Sequence, residues 1–213
     1  MRNGKSGILA FALFVSGFIS CKTGLQGDVV KDYSAWPAYS HYFTDNPSRL
    51  VFKSSLTIAN ERFSGLLVVK QIVPGEYRSI YTTETGFKVF DLSIENDSYV
   101  LNYGVGAISK KMVSDRLAFT IQSMLLREFS SSAWRMLPAE TGFYVQEYLF
   151  GNNRYLIKRK SALYYPVSMS FYKGQKKKAE TIFWGTEDGG LPDSSSVTHT
   201  GFPMQASFRL LKD

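Results

Sequence analysis

From residue 49 onward, apolar and polar positions alternate in short runs broken by turn residues, the texture of β-strands. The first runs cover 50–59, 63–73, 76–82, 87–95 and 98–103. Pro74-Gly75, Thr83-Glu84-Thr85-Gly86 and Asn96-Asp97 fall between them, in links of two to four residues. Links that short join antiparallel strands, because a parallel neighbour needs a long crossover. The period then changes. Val113, Leu117, Ile121, Met124 and Leu125 recur at helical spacing within 112–129, Ser109 can cap the start, and no proline intervenes before Pro138. Such an apolar stripe must bury itself against another element, and a curved sheet is the expected target. Strand texture returns over 142–150, 154–161, 167–172, 178–185 and 204–211. The pattern predicts a mainly β chain of about ten antiparallel strands, covered by one helix inserted midway.

Alternation also assigns faces. Phe90, Leu92 and Ile94 share one side of their strand, Leu66 and Val68 share a side of theirs, and Ile80 is apolar on the strand between. With Leu117, Ile121, Met124 and Leu125 of the helix, these residues are either a filled core or, in an open barrel, the candidate lipid-binding lining of a cavity wide enough for acyl chains. The link 83–86 is a hairpin tip in which Gly86 can take the left-handed backbone of a tight turn, flanked by Thr85 and Phe87.

The first 48 residues have a different texture. Arg2 and Lys5 precede the apolar run ILAFALFV at 8–15, and Phe18-Ile19-Ser20 leads into Cys21. A basic start, a short apolar run and a small residue before a cut describe a secretory signal over 1–20. The run is too short to cross a bilayer, which takes about 20 residues. Cys21 is the only cysteine, so it has no disulfide partner within the chain. Phe-Ile-Ser-Cys resembles the bacterial lipobox. That resemblance implies diacylglycerol on the Cys21 thiol, cleavage before it, and an acyl group such as palmitate on the new amine. Residues 21–48 then read as an acylated tether and irregular lead-in, and 49–213 as the folded domain. Lys22, where enteric inner-membrane lipoproteins carry aspartate, resembles an outer-membrane address, on the periplasmic side.

Charge and composition exclude more than they specify. The formal charge is +7, spread along the chain, which suits an anionic lipid surface and gives no case for nucleic acid. Aromatic residues make up 15%, in keeping with sheets. His41 and His199 belong to no metal-ligand spacing, and no nucleophile elbow or phosphate loop is present. Asp91 and Glu95 could act as a carboxylate pair, but solvent-facing charges on one strand explain them as well. Lys176-Lys177-Lys178 reads as a solvated hairpin end, with contact to anionic head groups as the alternative. The expectation is a non-enzyme with no catalytic residue, no metal and no cofactor.

Four segments carry a family resemblance. EYRSIYTTETGFKVFDLSI is similar to a hairpin of LolB, the outer-membrane lipoprotein receptor related to soluble LolA. A helix follows that sheet at a similar distance, VSMSFYKGQKKKAETIFWGT resembles the family's late hairpin, and LPDSSSVTHTGFPMQASFRLLKD resembles its proline-led loop and closing strand. YTTETGFKVFDLSI also resembles a hairpin of uncharacterised Bacteroidetes-type lipoproteins. The resemblance implies a half-open antiparallel β-barrel, monomeric, whose cavity takes lipid or acylated lipoproteins, with a periplasmic carrier as a partner. One departure bears on function: the family's exposed tip leucine is matched here by Thr85. The alternative is a non-catalytic interaction or scaffold subunit of an envelope complex.

Overall fold

The structure is a computed structural model describing residues 42–43, 49–95, 98–126, 134–160, 163, 165–185 and 191–212, without the side chains of Trp134 and Phe150. The signal over 1–20, Cys21, His41, the turn Asn96-Asp97 and all of the lead-in except Tyr42 and Phe43 lie outside the described residues.

Among the described residues, twelve strands form one antiparallel sheet. The first five are β1 (Arg49–Ile58), β2 (Glu61–Val73), β3 (Glu76–Thr83), β4 (Lys88–Glu95) and β5 (Ser98–Gly104). A 3-10 turn (Gly106–Ser109) and α1 (Lys111–Met124) follow. Then come β6 (Trp134–Leu137), β7 (Phe143–Phe150), β8 (Asn153–Lys160), β9 (Pro166–Lys173), β10 (Lys176–Trp184), β11 (Ser194–His199) and β12 (Met204–Leu210). The order across the sheet is β5-β4-β3-β2-β1-β12-β11-β10-β9-β8-β7-β6. It is two meanders joined where the first strand pairs with the last, Phe52 facing Leu210 and Ile58 facing Met204. β5 and β6 are the free edges, so the sheet does not close on itself. α1 lies in the connection between those edges and packs on one face, which gives a half-open barrel with one helix.

Two strands exceed the expected ten, each for a visible reason. β6 has four residues, too few to show a period. β11 reads SSSVTH, with serine or threonine on both faces, so the inward Ser195, Val197 and His199 do not stand out from their neighbours. The helix is also shorter than expected. It ends at Met124, and Leu126 turns the backbone to a φ of 56°. Ser109 does not cap it: the Ser109 hydroxyl donates to the Gly106 carbonyl at 2.8 Å, and Lys110 holds the cap position without a side-chain bond.

Register fixes which side chains point inward, and it corrects three assignments. Leu67 faces Phe52 on β1 and Tyr81 on β3, and Tyr81 faces Phe90 on β4; all four are 0–1% exposed. Leu66, Val68 and Ile80 are therefore on the opposite, outer face, with Leu66 38% exposed and the other two half-buried. β2 carries Leu66-Leu67-Val68-Val69 in a row, so its own alternation has no phase. A shift of one residue exchanges the two faces, and the neighbours decide between them. Tyr42 adds to the inner core from upstream of β1. Its ring meets Phe52 edge-on at 5.6 Å and its hydroxyl donates to the Pro192 carbonyl at 2.9 Å.

Candidate functional site: the helix-covered face

α1 is tied to the sheet at two places. At its start the Tyr99 hydroxyl of β5 lies 2.9 Å from the Ser114 hydroxyl and donates to the Asp115 carboxylate at 2.5 Å. The Lys111 ammonium, 2.6 Å from Asp115, and the Tyr99 hydroxyl hold that carboxyl below the usual range. Further along, the Thr120 hydroxyl sits 2.8 Å from His199 Nε2 on β11. Thr120 donates its own proton to the Arg116 carbonyl at 2.8 Å, so the imidazole must be the donor in the pair, through Nε2–H. Nδ1 then remains a bare acceptor, buried and without a described partner. Burial first, and the Arg116 charge second, push the His199 pKa down to about 4, so the ring is neutral at pH 7.

Over the centre of β1–β5 this face is closed. Phe90, Leu92, Ile94, Leu117, Ile121, Met124 and Leu125, the inward members of the candidate lining, are all 0–5% exposed and belong to one packed cluster. Burying side chains as large as Leu117 and Ile121 contributes about 1.5–3 kcal/mol each. Tyr81 and Phe90 stack at 5.4 Å with an 8° interplanar angle, and the Tyr81 hydroxyl donates to the carbonyls of Ser54 (3.1 Å) and Phe63 (3.0 Å).

Over β7–β10 the same face has another character. Phe119 of α1 lies 4.9 Å from Phe171 on β9, and Phe171 lies 5.0 Å from Tyr155 on β8. All three rings are only half-buried. Phe119 also meets His199 edge-on at 5.8 Å. Polar groups interrupt the aromatic surface. Arg159 on β8 is 3% exposed, and Gln146 Oε1 on β7 is buried with no described hydrogen-bond partner. The Tyr148 phenol is raised by burial against the opposing pull of Arg159. This wall combines half-buried apolar rings, able to lie along an acyl chain, with polar groups buried beside them.

Sequence reasoning missed Phe119, Tyr155, Phe171 and His199. Met169 and Phe171 alternate in the run 167–172, so part of the signal was present. Phe119 stands two residues after Leu117, beside the stripe and not on it.

The hairpin tip is a polar turn. Gly86 has a φ of 84°, and its N–H donates to the Thr83 carbonyl at 2.9 Å. The Thr83 hydroxyl accepts the Phe87 N–H at 3.1 Å and lies 2.8 Å from the Thr85 hydroxyl. Thr85 is exposed, and Phe87 is 56% exposed. Asp91 lies on the outer face. The Arg78 guanidinium grips it with two bonds of 3.0 and 2.8 Å and holds its carboxyl below the usual range. Glu95, on the same face at the end of β4, is exposed. Lys176 opens β10 beyond the turn at Gly174, exposed, and Lys177 pairs with Glu180 at 2.8 Å. Among the described residues no group of three or more His, Cys, Asp or Glu could hold a metal.

No family model matches the chain, and no curated protein matches it by sequence. Solved structures do match by shape. A LolA superfamily protein from Nitrosomonas europaea superposes with a TM-score of 0.54 at 8% identity, over 77% of this chain and 83% of that one. A domain named as an outer membrane lipoprotein-sorting protein, from Vibrio parahaemolyticus, superposes with a TM-score of 0.51 at 12% identity, over 77% and 83%. The chain thus has a LolA-type fold: a large open antiparallel sheet with a helix on its inner face.

Proposed function

We propose that the protein is a lipid-anchored, non-catalytic carrier of the outer membrane, held on its periplasmic side through acylated Cys21. Its half-barrel binds an acyl chain, free or attached to a protein. The observation that carries this reading is the half-buried cluster Phe119–Phe171–Tyr155, on the face where an open LolA-type sheet meets its helix. Neighbouring rings left partly exposed on that face are apolar surface available to a ligand. Among the described residues no helix is long and apolar enough to cross a membrane; the proposed attachment rests on the lipobox-like run Phe-Ile-Ser-Cys ending at Cys21. With Thr85 and Glu84 at the tip, entry into lipid is costly, and the protein binds cargo without inserting it efficiently. The test is titration of the chain from residue 22 with a dansyl-labelled fatty acid. Saturable binding that weakens about tenfold in Phe171→Ala supports the reading. No binding to the wild type removes it.

The scaffold reading draws on one observation, the closed packing of β1–β5 against α1. A stoichiometric protein partner recovered with the purified protein, and no lipid, would favour it.

A further inference from the structure

The outer face of the sheet carries a groove. Ser64 on β2 faces Ser55 on β1, Ser55 faces Ser207 on β12, and Ser207 faces Ser196 on β11. Hydroxyls therefore run across four neighbouring strands, over about 14 Å at the usual interstrand spacing. Larger side chains rise on both sides of this floor. Lys53 and Arg209 stand opposite one another in the next row, and Arg62 stands beyond the row on the other side. Trp184, 50% exposed, is in register with Ser194, and Ser194 is in register with Arg209, so the indole ends the first wall. The result is a hollow of about 400 Å³, continued by a second of about 250 Å³ that shares Ser55, Arg62 and Ser207. Among the described residues none of Lys53, Arg62 and Arg209 shows an ion pair or hydrogen bond. Glu84, reaching in from the hairpin tip, is the one acidic group on the lining.

We propose that this groove is a binding site for an anionic oligosaccharide, a short run of sugar rings bearing carboxylate, phosphate or sulfate groups. Three unpaired cations against one carboxylate leave an excess of two positive charges around a concave floor, which selects an anionic ligand. A floor of hydroxyls offers both donors and acceptors to a ligand that is itself rich in hydroxyls. A half-exposed indole gives a sugar ring an apolar face to lie on while its own edge stays wet. A flat bilayer surface fits less well, because its head groups would meet the rims and leave the serine floor empty. The site is on the opposite side of the sheet from the proposed acyl wall, so the two can be occupied together and fail separately.

The experiment is calorimetric titration of the full mature lipoprotein in detergent with a heparin-derived hexasaccharide and, in parallel, with neutral maltohexaose. The sulfated sugar should bind saturably and weaken as salt rises; the neutral sugar should not bind. The side chains of Arg62, Arg209 and Trp184 are at the surface, so their variants should fold and melt as the wild type does. Arg62→Ser with Arg209→Ser should weaken binding about a hundredfold, and Trp184→Ala roughly fivefold. Dansyl fatty-acid binding should be unchanged in all of them. Equal binding of maltohexaose, or no change in the variants, overturns the proposal. So does binding of phosphatidylglycerol vesicles that depends on these residues when the hexasaccharide is ignored, which makes the occupant a membrane. Inorganic sulfate competing at the same concentration as the hexasaccharide also overturns it, because the groove would then hold an ion only.

Discussion

The two wings of the sheet are built from similar strands and treat their inner faces differently. In β1–β5 the central inward aromatics Phe52, Tyr81 and Phe90 are 1% exposed, and only Phe63, Tyr77 and Tyr99, nearer the strand ends, are half-buried. In β8–β9 the inward Tyr155 and Phe171 are half-buried, and the helix meets them with Phe119, also half-buried. One wing spends its apolar surface on holding α1 in place; the other keeps some of it open. The helix explains both: its main stripe, Val113, Leu117, Ile121 and Met124, is fully covered, while a single ring off that stripe turns toward the second wing. A rigid closed region beside a partly open one is what a binding site needs, because the scaffold then does not have to reorganise when the ligand leaves.

Four measurements would break or sharpen that contrast. The largest effect should come from charge in the closed wing. Leu92 is fully buried, so Leu92→Asp buries an unpaired carboxyl, and Leu117→Asp does the same from the helix side. Each should cost several kcal/mol and remove most of the cooperative melt. The matched Leu66→Asp, on the outer face, should stay within about 0.5 kcal/mol. Next, Phe90→Ala should cost about 3–5 kcal/mol in chemical denaturation. Phe171→Ala should cost clearly less and act mainly on fatty-acid binding; equal destabilisation by the two would erase the difference between the wings.

The third measurement is a pH profile. His199 has its pKa lowered from 6.5 to about 4 by burial, with Arg116 adding to the effect. Between those values the unfolded chain binds the proton and the native chain does not, so stability is fully present above pH 6.5 and falls as pH drops toward 4. Arg116 is the charge facing the ring from α1, and the packed Phe119 and Thr120 do not titrate. His199→Gln should flatten this part of the melting profile; an unchanged slope would mean that the ring is not the group responsible. The smallest effect is expected at the hairpin tip. Beyond its chain neighbours, no heavy atom lies within 4 Å of where a Gly86 Cβ would stand, so the main burden on Gly86→Val is the φ of 84°. That costs about 1–3 kcal/mol, and Thr85→Leu should leave the melt where it was.

Much of this organisation was legible in the sequence where local pattern and packing agree. β4 and α1 have clear periods, and their inward residues Phe90, Leu92, Ile94, Leu117 and Ile121 are where the pattern puts them. The pattern failed where one face does not differ from the other. Four consecutive apolar residues hid the phase of β2, and a serine-rich stretch hid β11. The aromatic cluster was harder still, because Phe119, Tyr155 and Phe171 come from three elements that only the fold brings together. The serine groove is another such case, since its floor depends on the register of four strands.

The pairing of β1 with β12 has a consequence for the order of assembly. Every other neighbour in the sheet is also a neighbour in sequence, so each wing can zip up from local turns. The seam instead joins residues 52–58 to 204–210, across nearly the whole described domain. Contacts that distant carry the largest loop-closure cost and form slowly. Until they form, each wing exposes an unpaired inner strand, a template for pairing with other chains. A chain cut before Met204 should therefore aggregate as two half-sheets, whereas a circular permutant joined through the native ends and opened between β5 and α1 would make the seam local and should refold faster than the parent.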